Sequence, residues 1–282
     1  MSKAPGKISS LGTLKTFLKV GTCSETMCNV IDRAFNQPME LEENAALPFT
    51  GGIMQQGYQC GLIWGAVLAA GAQAYRIHGP GAQAEAAAVI TAQKLVESFH
   101  DRFREINCLE LTDTDWKKTT QIVRYFIKGG TLRCLSMAAK YPPIAVNEIN
   151  ASLSEMKFDG PSPPVSCAAL LARKMGASEL QAVMAAGLAG GIGLCGGGCG
   201  VLGTAIWVMG LNKGDDYRRK MDFDDPELSA VIDRFLEASD YEFECADIVG
   251  RKFSSVNDHA CHVRQGGCSD IIEALAAHCA AD

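Results

Sequence analysis

Basic residues are in short supply in this chain. Its 26 Lys and Arg are outnumbered by 32 Asp and Glu, giving a net charge of -6 and a pI near 5.5, with no Lys/Arg stripe. Phosphate neutralisation supplies most of the affinity of nucleic-acid binders, so no nucleic-acid partner is expected. Alternating β-branched runs are hard to find and aromatic residues make up only 7%. Both scarcities point away from sheets and toward helices packed through small side chains. Behind Met1–Lys7 there is no apolar run of signal-peptide length, so a cytoplasmic setting is expected. There is no Cys-x-x-Cys-His for covalent haem and no G-x-x-x-x-G-K-[ST] phosphate loop. The Gly-rich segments do not follow a predicted strand, which argues against a dinucleotide fold.

Charge is missing altogether from Leu180 to Leu211, a length sufficient to cross a bilayer. Gly-Gly pairs and Gly196-Gly197-Gly198 interrupt it, and such a run would free backbone polar groups that lipid cannot satisfy. Two short helices around a buried glycine-rich turn fit better than a membrane span.

What the chain does have is 12 cysteines and 29 glycines, and it repeats itself. Gly51-Gly52-Ile53, Gly57, Cys60, Gly61, Ala66 and Gly71 recur 139 positions later as Gly190-Gly191-Ile192, Gly196, Cys199, Gly200, Ala205 and Gly210. The same offset carries Cys28 onto Cys167. With a slight drift, Cys108 pairs with Cys245, and Gly129-Gly130 and Cys134 pair with Gly266-Gly267 and Cys268. The stiff segment Asp159–Pro164 cannot continue a helix and marks a boundary between repeats over 1–155 and 156–282. Within the repeats the expected helices include one burying Met27, Val30, Ile31, Ala34 and Phe35, with Ser24 as its cap. Others are expected over Ala82–Phe103, Asp113–Lys128, Ser178–Leu188, Pro226–Ala238 and Cys268–Ala280. The fold class is therefore all-α, as two tandem pseudo-symmetric helical bundle repeats. Trp64 and Trp207 read as core residues.

Six of the eight repeated cysteines (Cys28, Cys60, Cys134, Cys167, Cys199 and Cys268) fall at expected helix starts. Unpaired N–H groups there favour a thiolate, the form that binds metals or attacks disulfides. Cys108 and Cys245 fall in less regular stretches. Four thiolates per half suit an iron–sulfur cluster or a tetrahedral zinc, and the alternative is that these cysteines are small buried hydrophobes. The candidate metal ligands are thus Cys28, Cys60, Cys108, Cys134, Cys167, Cys199, Cys245 and Cys268. Gly61, Gly198 and Gly200 are candidate backbone donors to a cluster or thiolate sulfur. Cys23 and Cys195 read as companions of the main set, the unpaired Cys279 as a small buried hydrophobe, and His259, Cys261 and His262 as either a ligand cluster or a surface loop.

The order Cys, Gly-Cys-x-x-x-Gly, Cys, Cys resembles the C_GCAxxG_C_C family of redox proteins. The second half matches through Cys167, Gly198-Cys199-Gly200-Val201-Leu202-Gly203, Cys245 and Cys268, with Gly200 in place of the motif's alanine. The first half is looser, through Cys28, Gln59-Cys60-Gly61-Leu62-Ile63-Trp64, Cys108 and Cys134, and its Gly65 comes one position late. The resemblance implies a helical redox or metal-binding module in two copies. The expected function is electron transfer through an iron–sulfur cluster, with a redox partner protein or small-molecule electron donor and self-association into a homodimer left open. The alternatives are a thiol–disulfide or peroxide-reducing enzyme, with Cys60 or Cys199 attacking, and a zinc-stabilised structural module.

Overall fold

A computed structural model describes residues 5–155, 166–214, 223 and 225–279, with the side chains of 278 and 279 left aside. The boundary segment Asp159–Pro164 lies outside the described residues. Among these residues there are fifteen α-helices, one 3-10 turn (Leu47–Phe49) and no strand, only two isolated bridges.

α1 (Ser10–Val20) leads into a seven-helix unit that occurs twice. In the first copy the helices are α2 (Cys23–Ala34), α3 (Glu40–Ala45), α4 (Gly61–His78), α5 (Ala82–Phe103), α6 (Cys108–Thr112), α7 (Thr119–Ile127) and α8 (Gly130–Glu155). Their counterparts are α9 (Cys167–Lys174), α10 (Glu179–Ala186), α11 (Gly200–Lys213), α12 (Pro226–Ala238), α13 (Cys245–Val249), α14 (Val256–Arg264) and α15 (Ser269–Cys279). Local sequence sets the boundaries. Ser178 and Gln181 close a capping box on α10, and Asp225 caps α12 with Pro226 in its first turn. Thr22, not Ser24, precedes the first turn of α2. The expected helix over Asp113–Lys128 shortens to α7, because Asp113 takes a left-handed conformation (φ 52°) that ends α6.

The two units interlock. α10 of the second packs on α4 and α5 of the first, and reciprocally α3 of the first packs on α11 of the second. One continuous core results, with Trp64 and Trp207 fully buried in it. Trp64 stacks on Phe49 at 4.5 Å and lies against Gly203, where an added Cβ would come within 2.4 Å of its ring. The first half's departure from the motif is thereby accommodated, since a tryptophan in one repeat fills the space left by the motif glycine of the other. Gly65 still permits close packing, because a Cβ there would meet the Ser24 carbonyl of α2 at 2.1 Å. From Leu180 to Leu211 the chain forms α10, a buried turn and α11. No described helix is long and apolar enough to cross a membrane.

Candidate redox centres

In the first half, Cys23 opens α2, Cys60 caps α4, Cys108 opens α6 and Cys134 sits near the start of α8. All four line one cavity of about 260 Å³, together with Phe17, Leu62, Trp116, Tyr125 and Met137 among others. A left-handed turn delivers Cys60 to it. Ile53, Met54 and Gln55 all have φ between 49° and 61°, a conformation costly for L side chains and conspicuous for a β-branched residue. Gly52 makes the turn feasible, since a Cβ there would lie 2.3 Å from the Tyr58 carbonyl. Next, Cys60 N–H donates to the Ile106 carbonyl at 2.7 Å and Cys108 N–H to the Tyr58 carbonyl at 2.7 Å. These bonds hold the second and third cysteines side by side.

The thiols of this cavity are not alike. Cys60 hydrogen-bonds Cys23, and this bond lowers the Cys23 pKa to about 7 despite burial; Thr50 and the backbone N–H groups of Gly51 and Ser24 assist. The Cys23 and Thr50 side chains are 3.8 Å apart, and Gly61 leaves room for the sulfur, since a Cβ there would be 2.6 Å from Cys23 Sγ. The same bond from Cys23, added to burial, pushes Cys60 well up, so Cys60 keeps its proton. Burial raises Cys108 to about 12 and Cys134 to about 11. Tyr125 donates its hydroxyl to Cys134 Sγ at 3.1 Å.

The second half repeats the placement. Cys167 opens α9, Cys199 caps α11, Cys245 opens α13 and Cys268 immediately precedes α15. Cys199 N–H donates to the Phe243 carbonyl (3.0 Å) and Cys245 N–H to the Gly197 carbonyl (2.7 Å). Burial, with repulsion from Cys268, Cys199 and Cys245, pushes Cys167 well up, so the four thiols are within electrostatic reach of one another. Burial likewise raises Cys199 to about 12 and lifts Cys245 and Cys268. Here His262 faces Cys268, Nε2 to Sγ 3.8 Å, where the first half has Tyr125 facing Cys134. A glycine supports each ring from behind, Gly130 against Tyr125 and Gly267 against His262.

Two sequence expectations change. Cys28 does not reach the cavity. It sits in the second turn of α2, donates to Asp32 Oδ2 at 3.6 Å, and is pushed well up by burial and the Asp32 carboxylate. Cys23 takes its place as the partner of Cys167. The segment between Cys23 and Gly51 is longer than that between Cys167 and Gly190, so a gapless offset pairs the wrong cysteine. Secondly, Cys108 and Cys245 do open helices, although short ones, and helix starts do not by themselves yield thiolates. Desolvation outweighs the N–H groups of Leu62 at Cys60 and of Val201 and Leu202 at Cys199. Among these thiols the hydrogen bond from Cys60 acts to lower Cys23 against its burial.

The remaining candidates separate. Gly61 packs against the Cys23 sulfur, Gly200 against the Leu188 carbonyl, and Gly198 spends its N–H on Gln59 Oε1 at 3.0 Å. Cys195 is not in a helix, and its thiol points to the Gly193 carbonyl, 3.6 Å away. His259, Cys261 and His262 lie on α14 rather than a loop, with His259 buried, Cys261 exposed, and only His262 beside a motif cysteine. The Cys279 side chain lies outside the described residues. Every described cysteine is a free thiol. Sequence reasoning placed Cys23 only as a companion of Cys28 and missed Thr50 and Tyr125; the Gly-Gly pairing that aligns 129–130 with 266–267 also carries Tyr125 onto His262.

The family model described as "Putative redox-active protein (C_GCAxxG_C_C)" matches residues 22–145 and again 165–281. The chain belongs to the C_GCAxxG_C_C family, in two tandem copies. Each match spans one complete set of four converging cysteines, so the family's redox description applies to both halves of the fold. No curated protein and no solved structure matches the chain.

Proposed function

We propose that this protein is a thiol-based redox protein whose working couple is Cys23 and Cys60. The meeting of Cys23 and Cys60 in one cavity carries the reading, because a hydrogen bond between the two sulfurs favours a thiolate on one while the other keeps its proton. The Cys23 thiolate attacks one sulfur of a disulfide RSSR, forming a mixed disulfide as the other half leaves as RS⁻. The departing thiolate takes the proton of Cys60. The Cys60 thiolate then attacks Cys23 Sγ, breaking the mixed bond and releasing the second RS⁻, which is protonated by solvent. The protein gives up two electrons as the Cys23–Cys60 disulfide, and the substrate becomes two thiols.

A second reading is favoured by the convergence of four cysteines from four elements in each half, namely an iron–sulfur cluster held by Cys23, Cys60, Cys108 and Cys134 or by the Cys167 set. The donor chemistry fits, and a cluster bound there would supply one-electron transfer. Among the described residues, no three His, Cys, Asp or Glu side chains are close enough to share a single metal ion, so a lone zinc fits less well than a wider cluster.

The deciding experiment is purification without oxygen, followed by iron and acid-labile sulfide analysis and by thiol counting before and after a stoichiometric disulfide oxidant. Loss of two thiols confined to Cys23 and Cys60, in protein free of iron, supports the dithiol couple. Stoichiometric iron and sulfide, lost together in Cys23→Ala and Cys134→Ala, would replace it with the cluster.

A further inference from the structure

The dithiol reading leaves open what the first-half cavity admits, and the cavity walls bear on that. Apart from the Cys23 thiolate itself, none of the described side chains lining it is acidic or basic. It is walled by Phe17, Leu62, Leu111, Trp116, Phe126 and Met137 around the four sulfurs, with three threonines, Gln55 and the Tyr125 hydroxyl among its polar groups. At about 260 Å³ it lies just below the range of drug-sized sites, roughly 300–1,000 Å³. An anion moved from water into such a space gives up its hydration and finds no counter-ion, and a dication finds at most the single Cys23 thiolate. An apolar one gains by leaving water.

We propose that this cavity takes a small, uncharged organic disulfide as the oxidant of the Cys23–Cys60 couple, and that it rejects charged disulfides of similar size. The inference rests on the dithiol reading, and it adds the substrate class. Discrimination lies in the walls and not in the sulfur chemistry, which proceeds by the same exchange with any disulfide. The half-buried Gln55 is the place where a charge could be added with least disturbance, since it lines the cavity without belonging to the buried core.

The test uses the reduced full chain and three reagents of similar size: bis(2-hydroxyethyl) disulfide, which is neutral, 3,3′-dithiodipropionate, a dianion, and cystamine, a dication. Each rate of Cys23–Cys60 disulfide formation, read by peptide mass mapping, is divided by that reagent's rate with free dithiothreitol. The neutral reagent is expected to lead both charged ones by at least about tenfold. In Gln55→Lys the dianion is expected to gain about tenfold relative to the neutral reagent, as the added ammonium supplies a counter-ion. If Cys23 and Cys60 are oxidised equally fast by all three, the cavity does not select and this inference falls while the dithiol couple stands. If no reagent oxidises that pair, the dithiol couple itself falls, and the substrate class with it.

Discussion

Removing the Cys60 thiol isolates the interaction on which the chemistry depends. In Cys60→Ala, Cys23 loses the hydrogen bond that is the largest cause of its lowered pKa, while burial, which acts to raise it, remains. A return from about 7 to the ordinary 9.0 would cut the thiolate fraction at pH 7 from about one half to about 1%, roughly 50-fold. The rate falls by less. A more basic thiolate is a better nucleophile, and with a Brønsted slope of about 0.4–0.5 two pKa units return about 8-fold. The net loss at pH 7 is about 6-fold from these two effects, and desolvation enlarges it. The assay is oxidation of Cys23 by bis(2-hydroxyethyl) disulfide, followed by mass from pH 5.5 to 10 as the Cys23–Cys60 disulfide in the wild-type chain and as the retained mixed disulfide in Cys60→Ala. In the wild-type chain the rate should rise with a midpoint near pH 7; in Cys60→Ala the midpoint should move up by two units or more. Cys108 and Cys134, the other thiols facing Cys23, stay protonated through most of this range and do not blur the curve. An unchanged midpoint in the variant, or a wild-type midpoint near 9, would refute the reasoning.

Thr50→Val should raise the Cys23 midpoint by less than Cys60→Ala does, because Thr50 ranks below Cys60 among the groups that lower it, and the same assay reads it. Alkali should destabilise the fold. Buried thiols such as Cys28, Cys167 and Cys199 have folded pKa values raised above the unfolded value of about 8.5, so their stabilisation is complete below that pH and is lost as pH rises. Each costs about 1.4 kcal/mol per pH unit there, and urea midpoints that hold steady from pH 8 to 10.5 would contradict it. Gly52→Ala combines a left-handed φ of 77° with a Cβ 2.3 Å from a carbonyl, and should destabilise by about 2–4 kcal/mol in chemical unfolding. In Gln59→Ala the Gly198 N–H, buried between the two Cys-bearing turns, loses its acceptor; a loss of about 1–3 kcal/mol is expected by the same measurement.

The helices and their duplication could be read from the chain because both rest on local features. Capping residues at Ser178 and Asp225, the apolar spacing of α2 and the recurrence of Gly-Gly pairs need no knowledge of distant neighbours. Ala82–Phe103 and Pro226–Ala238 appear with the expected ends for that reason. Which sulfurs meet was another matter. Cys23 and Cys28 lie on the same helix, five residues apart, and only the approach of α4 through Gly61 and Gly65 decides that Cys23 faces Cys60 while Cys28 turns to Asp32. Ionisation was likewise beyond local reading. A helix start favours a thiolate by a fixed, modest amount, whereas burial and the donor opposite are set by what packs around each sulfur, and these prevail at every motif position. The sequence by itself determined a duplicated all-helical chain carrying two sets of cysteines. Tertiary packing alone decided which four sulfurs of the first half share a cavity and which two of them are hydrogen-bonded, because desolvation and the Cys23–Cys60 contact exist only once the helices have come together.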